Sequence, residues 1–307
     1  MGIRTVKDHF IIALKGVAMG AADAVPGVSG GTIAFISGIY EELITTISNV
    51  NVSLFKTLFQ KGFKSFWTQL NGNFLLALLS GIIISFVSFM RLAKYLIENE
   101  PVLIWSFFFG LIIASIYFVG KQITKWNISV IIGLLFGSIV AFYISTLPSM
   151  ATNENAFFLF FAGALAICAM ILPGISGSFI LVILGAYKTL SDALHDFDAK
   201  KLLFFVSGAI IGLLSFSHLL KWLFKHYHNL TLAILTGFIF GSLNKVWPWK
   251  ETLTWHVNSK GFKTPLIDKS VLPFDYVGDN HLLPAILLII AGFLTIFILE
   301  KVGSKKH

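Results

Sequence analysis

The chain contains one short pattern twice. It reads PGVSGGT from Pro26 to Thr32 and PGISGSF from Pro173 to Phe179, at an offset of 147. Each copy interrupts a long apolar segment. Proline removes a backbone donor and glycine admits non-helical dihedrals, so each copy breaks a helix. In a membrane such a break is tolerated only where protein or a water-filled cavity covers it. The match runs on: Gly38 aligns with Gly185, Tyr40 with Tyr187 and Leu43 with Leu190. The chain therefore reads as one plan written twice, each copy opening on a broken helix.

Composition sets the surroundings of these breaks. Of 307 residues, 56% are hydrophobic and 12% charged, against about 25% charged in a soluble domain. Several apolar runs reach the length that crosses a hydrocarbon core of ~30 Å. Period-two alternation is absent, which excludes a β-barrel. The expected fold is an all-α polytopic membrane protein. The net charge of +8 falls in short connectors between spans, so it reads as topology signal and contact with membrane lipids, not nucleic acid. The one cysteine, Cys168, lies in an apolar stretch and reads as a packing residue. The basic N-terminus is not followed by a small-residue cleavage site, so no removable signal peptide is expected.

Taken in order, residues 1–150 form the first repeat: a broken hairpin over 10–47 and spans at 74–97, 101–119 and 128–147. Residues 151–307 form the second: a broken hairpin over 156–190 and spans at 201–224, 229–247 and 283–300. Each hairpin is read as one helix before the break and one after it. Whether it re-enters or spans twice is left open by the residues. The connector 48–73 reads equally as an amphipathic surface helix, with Phe55, Leu58, Phe59 and Phe63 on one side, or as a plain linker. The polar stretch 248–281 suits a small extramembrane hairpin. At an offset of 127, Gly81 matches Gly208, Arg91 matches His218, Lys94 matches Lys221 and Gly110 matches Gly237. At 155, Gly137 matches Gly292.

A re-entrant or twice-spanning hairpin contributes an even number of crossings. Three further spans make each half odd, so the two halves are expected upside down relative to each other, an inverted-topology repeat. Basic connectors at 48–73 and 120–127 and a basic tail place both termini in the cytoplasm.

The helix after each break should begin with unpaired N–H groups and a positive dipole end. Hydroxyls at Ser29, Thr32, Ser176 and Ser178, and missing side chains at Gly27, Gly30, Gly31, Gly174 and Gly177, suit the close approach of a phosphate or carboxylate. The competing reading is tight helix packing, which small residues also serve in membranes. Asp23, just before the first break, has Met170 as its counterpart. An intramembrane carboxylate either carries a coupling proton or sodium ion or caps a half-helix end. Arg91 with Lys94, and His218 with Lys221, lie three apart on one helix face; they either supply charge to a phosphate or snorkel at span ends. The sequence has no H-E-x-x-H, no G-x-S-x-G, no P-loop and no Cys/His cluster, so neither an enzyme nor a resident cofactor is expected.

The stretch GVAMGAADAVPGVSGGTIAFISGIYEEL, Gly16 to Leu43, together with LPGISGSFILVILGAY, Leu172 to Tyr187, resembles the bacterial polyprenyl-phosphate transport family. The resemblance covers about residues 10 to 300. It implies translocation of undecaprenyl phosphate across the cytoplasmic membrane, so that the lipid carrier is recycled for envelope synthesis. It also implies a substrate site at Asp23, Pro26, Gly27, Ser29, Gly30, Gly31, Thr32, Pro173, Gly174, Ser176 and Gly177. The second copy departs from the first at Met170, Ser178 and Phe179. The residues alone also allow a carrier of a small soluble anion, an intramembrane lipid-modifying enzyme or an assembly scaffold.

Overall fold

The computed structural model describes residues 4–23, 29–148, 150, 153, 155–257 and 263–304; of these, the side chains at 86, 90, 91, 94, 254–257, 263–268 and 299–304 are outside the description. Up to residue 146 the chain runs α1 (Val6–Asp23), α2 (Gly30–Ile36), α3 (Tyr40–Ser48), α4 (Val52–Gln69), α5 (Gly72–Asn99), α6 (Pro101–Gly120) and α7 (Ile128–Thr146). It continues with α8 (Ala156–Ile171), α9 (Gly177–Ile183), α10 (Ala186–His195), α11 (Ala199–His226) and α12 (His228–Gly241), which tightens into a 3-10 turn over Ser242–Val246. An antiparallel hairpin, β1 (Lys250–Val257) and β2 (Lys263–Ser270), precedes α13 (Leu282–Ser304). Among the described residues five helices are long and apolar enough to cross a membrane, or six if α9 and α10 count as one bent span. The chain is a multi-pass α-helical membrane protein. Asn51, Asn127, Asn155 and Asp198 each accept a first-turn N–H, which sets where α4, α7, α8 and α11 begin.

The helices pack through glycines, and the contacts recur at the offsets read from the sequence. A Cβ on Gly81 of α5 would strike the Ala13 carbonyl of α1; a Cβ on Gly208 of α11 would strike the Phe160 carbonyl of α8. Likewise Gly16 closes on Leu78 and Gly163 on Phe205. The remaining spans cross over between the halves of the chain. Gly110 of α6 abuts Ile289 of α13, and its counterpart Gly237 of α12 abuts Leu134 of α7. Gly137 of α7 abuts Ile234 of α12, and Gly292 of α13 abuts Phe107 of α6. Lipid gives helices little hydrophobic reason to associate, so such close backbone approach is the main source of packing energy.

Contacts at Gly16–Leu78 and Gly20–Ile82 rise together, so α1 runs parallel to α5 and Asp23 is level with the middle of that 28-residue helix. The Gly208–Phe160 and Gly212–Ala164 contacts place α8 on α11 in the same way. Both breaks therefore lie at mid-depth of the bundle. One end of the bundle gathers Arg4, Glu42 and Asn71: the Arg4 guanidinium is bidentate to Glu42 at 2.7 and 2.6 Å, and Asn71 donates to Glu42 at 2.8 Å. The chain from α1 through α3 thus returns to the end where it started. Thr124 with Asn229, and Lys221 with Asn49, join that same end. The opposite end carries the hairpin, where Trp249 donates to Asn280 and packs with Val102 and Ala285.

Two details differ from the sequence expectation. The stretch after each break is two helices, not one. Gly38 and Gly185 adopt φ of +72° and +68°, a left-handed residue that ends α2 and α9. The axis then turns, by 108° between α9 and α10. The connector 48–73 is helical, with Phe55, Phe59 and Phe63 exposed, but Gly62 at φ +78° divides it. The stretch 248–281 forms its hairpin as expected.

Replacing Gly237 or its counterpart Gly110 with Ala should lower the thermal midpoint in detergent, by overpacking worth about 1–3 kcal/mol. Gly120→Ala, whose Cβ would meet only Thr236 at 3.8 Å, should leave it unchanged.

Candidate functional site at the paired helix breaks

The two breaks touch. Ser29, 2% exposed, caps α2 by accepting from the Gly31 amide at 3.1 Å, and its hydroxyl lies 3.3 Å from both the Met170 and Leu172 carbonyl oxygens. Those carbonyls lie at the end of α8, at or next to the helix terminus, where α8 has no later turn to donate to them. Thr32, fully buried, accepts from the Gly174 amide at 2.9 Å. Gly174 stands at φ +88° with a Cβ position 2.8 Å from the Phe238 carbonyl, so only glycine fits this turn. A Cβ on Gly31 would lie 2.6 Å from the Ile171 carbonyl, so that glycine serves the contact between the breaks.

Asp23 is the third polar element. Its carboxylate accepts from the Gly30 amide at 2.7 Å, and it crowds the side of Gly30 where a Cβ would be. The α2 donors expected to be unpaired are thus engaged in this conformation: Gly30 by Asp23, Gly31 by Ser29, and Thr32 by the Ser29 carbonyl. The chain supplies its own anion where an external one was expected.

The second break is different. Ser176 makes no side-chain cap on α9; its hydroxyl pairs with that of Ser178 at 2.8 Å, and Ser178 is exposed. Thr32 has Phe179 as its counterpart, so the reciprocal hydroxyl is missing. A Cβ on Gly177 would lie 2.6 Å from the Ala166 carbonyl, and Pro173 is buried. A narrow cleft opens here, bounded by Ala141, Ile144 and Ser145 of α7, residues 174–176 and Phe179, and Ser242 and Lys245. The Lys245 ammonium lies 4.3 Å over the Phe179 ring. Lys245 escaped sequence reasoning because it falls in the last turn of the expected span 229–247 and carries no motif or repeat signal.

Of the expected site residues, Asp23, Ser29, Gly30, Gly31, Thr32, Pro173, Gly174, Ser176, Gly177 and Ser178 are brought together. Pro26 and Gly27 lie outside the described residues, as do the side chains of Arg91 and Lys94. His218 and Lys221 are exposed on α11; His218 lies 2.6 Å from the Leu214 carbonyl and Lys221 donates to Asn49 at 3.2 Å, so neither reaches a break. Cys168 lies 3.6 Å from the Gly212 carbonyl, in the α8–α11 contact. No group of three or more metal-ligating side chains occurs among the described residues.

A bundle of long apolar helices joined around two apposed breaks at mid-depth defines a polytopic membrane protein. Comparison makes the class particular. Residues 19–264 match the family model described as undecaprenyl phosphate translocase-like, and the chain belongs to that family. It is 44% identical over 296 residues, 95% of this chain and 96% of the relative, to a polyprenyl-phosphate transporter of Vibrio cholerae. It is 32% identical over 270 residues, 81% of this chain and 90% of the relative, to a polyprenyl-phosphate transporter of Staphylococcus aureus. No solved structure matches it.

Thr32→Val preserves shape but leaves the Gly174 amide buried without an acceptor, which should cost about 1–3 kcal/mol. Ser178→Ala, at an exposed hydroxyl, should leave stability unchanged. Thermal unfolding in detergent separates the two.

Proposed function

We propose that this chain translocates a polyprenyl phosphate, undecaprenyl phosphate in particular, across the bacterial cytoplasmic membrane, and that it is a transporter and not an enzyme. The observation that carries the reading is the apposition of two broken helices at mid-bundle in a chain that belongs to an undecaprenyl phosphate translocase-like family. Moving a phosphate through hydrocarbon unaided is the costly step, whereas an isoprenoid tail is at home there. A translocase need shield only the head. The glycine contacts that recur at constant offsets support two inverted halves, 1–150 and 151–307, that expose the paired breaks to alternate sides.

Orientation follows from charge. The end that gathers Arg4 and the starts of α5 and α12 also carries the basic connectors 48–73 and 120–127. In this reading it is cytoplasmic, with both termini inside. The reading includes no resident cofactor. Asp23, at mid-depth and hydrogen-bonded to the α2 start, is the group through which a proton or sodium gradient would act.

A phosphate-lipid-binding probe applied to intact cells depleted of the protein, in a strain without other carriers of this kind, should reveal undecaprenyl phosphate accumulating on the outer face. An outer face unchanged on depletion would count against translocation. Asp23→Asn keeps an oxygen acceptor for the Gly30 amide but removes the charge. Restored fold with lost carrier recycling is expected, and full recycling in that variant would exclude the coupling role.

A further inference from the structure

Beside the second break a cavity of about 230 Å³ opens between α11 and α12. Eight of its ten lining residues are Leu, Ile or Phe; the other two are Tyr227 and Thr231. The Thr231 hydroxyl donates to the Tyr227 carbonyl at 2.9 Å, so its hydrogen is spent on backbone. Tyr227 is half exposed and stands where α11 ends. Among the described residues the side chains of the wall are therefore apolar along its length, with a phenol at one end.

Each of the two helices follows a different partner. Gly208 and Gly212 seat α11 on α8, whereas Gly237 and Gly241 seat α12 on α7. The turn at Tyr227 joins them, and the side chains between them leave the space unfilled. The inner end of the cavity is the break itself. Leu172 lines it, and the Leu172 carbonyl lies 3.3 Å from the Ser29 hydroxyl. Phe238 lines it too, and its carbonyl lies 2.8 Å from where a Gly174 Cβ would stand. Along α11 the wall runs from Phe216 to Tyr227, roughly 16 Å at the helical rise.

Size and polarity narrow the occupant. An apolar cavity of about 150 Å³ stays dry and admits a six-carbon ring, so on that scale this one takes roughly nine carbons, close to two isoprene units. Water needs at least two polar partners, which the side chains of the wall do not provide. A phospholipid suits the junction poorly. Glycerol and ester carbonyls separate its phosphate from its chains, and they would lie unpaired against Leu172, Leu220 and Leu235. In a prenyl phosphate the hydrocarbon begins at the phosphate ester oxygen. An apolar wall that starts directly at a polar break matches that chemistry.

We propose that this cavity holds the first isoprene units of the transported lipid while its phosphate occupies the opened break. The assignment rests on the translocation reading and adds the surface that selects an isoprenoid monophosphate over a phospholipid. The remainder of the lipid chain stays in the bilayer.

The test uses the full chain in phosphatidylcholine nanodiscs and a farnesyl phosphate with a diazirine on its first isoprene unit. Illumination and mass spectrometry map the label. It should fall on residues that line the cavity, such as Leu223 and Leu235, and unlabelled farnesyl phosphate should displace it. Leu223→Trp puts a larger side chain into the space and should weaken binding at least about tenfold, the effect of about two methylene groups excluded from an apolar site. Leu223→Met should stay near wild type. Phosphatidic acid at equal concentration should displace little of the label. Label confined to the outward-facing Leu219 and Trp222, or equal affinity in a Leu223→Trp protein that melts with wild type, overturns the cavity assignment and leaves translocation standing. Displacement by phosphatidic acid as effective as by farnesyl phosphate overturns the isoprenoid selection. Absence of displaceable label on wild type overturns both readings. Where Leu223→Trp melts below wild type, the map on the unaltered chain decides alone.

Discussion

A broken helix inside a membrane has to find partners for the backbone groups it frees, and here each break is the partner of the other. Ser29 lies within reach of the Met170 and Leu172 carbonyls, and Thr32 takes the Gly174 amide. Neither hydroxyl is exposed to water. In hydrocarbon an unsatisfied amide or carbonyl costs several kcal/mol. The two halves of the chain are thus locked at mid-depth by the same groups that would be ruinous if either half stood alone. The long glycine contacts around them, α1 on α5, α8 on α11, α6 on α13 and α7 on α12, hold the breaks at the level where they meet.

Duplication and divergence serve different parts of this arrangement. The glycine contacts recur at the same offsets in both halves, so the scaffold is kept twice. The breaks are not. Asp23 has Met170 as its counterpart, and Thr32 has Phe179. The first break is therefore internally satisfied, by a carboxylate and by the hydroxyl and carbonyl of Ser29. The second relies on the first for its Gly174 amide and leaves Ser176 facing a cleft, its hydroxyl paired with that of Ser178. A symmetric pair of anion sites, the simplest reading of the repeated heptad, gives way to one closed break and one open one.

Much of this was legible in the residues. Apolar runs bounded by asparagine, aspartate and proline placed the spans, because helix length against bilayer thickness leaves little freedom. The offsets 147, 127 and 155 anticipated which glycines would make equivalent contacts, though not that α6 and α7 would pair with α13 and α12. That exchange is a tertiary choice with no local signal. The further turn at Gly38 and Gly185 was missed for a local reason: a single glycine inside an apolar helix is usually tolerated, and its positive φ shows only in the fold. The donors of α2 were read as unpaired because the sequence does not say that Asp23, seven residues before Gly30, folds back onto it. Lys245 carried no repeat signal, having Phe118 as its counterpart, and its closeness to the second break depends on the α7–α12 contact.

The lock also sets a condition on any motion that parts the halves. Separation would strip the Gly174 amide of Thr32 and take Ser29 away from the carbonyls of Met170 and Leu172. Each buried group left unpaired costs about 1–3 kcal/mol, so an empty opening is disfavoured. Whatever enters must accept a hydrogen bond at Gly174 and donate one toward Leu172. Bare hydrocarbon does neither, which keeps lipid tails from prising the breaks apart. Water does both, and so does a singly protonated phosphate, with a negative charge that strengthens the bond it accepts. The charge of that phosphate would in turn oppose the Asp23 carboxylate across the same few residues. The anion at the Gly174 amide and Asp23 at the Gly30 amide would take different donors but repel each other, so the break would favour the anion only when the carboxylate moves away or is neutralised.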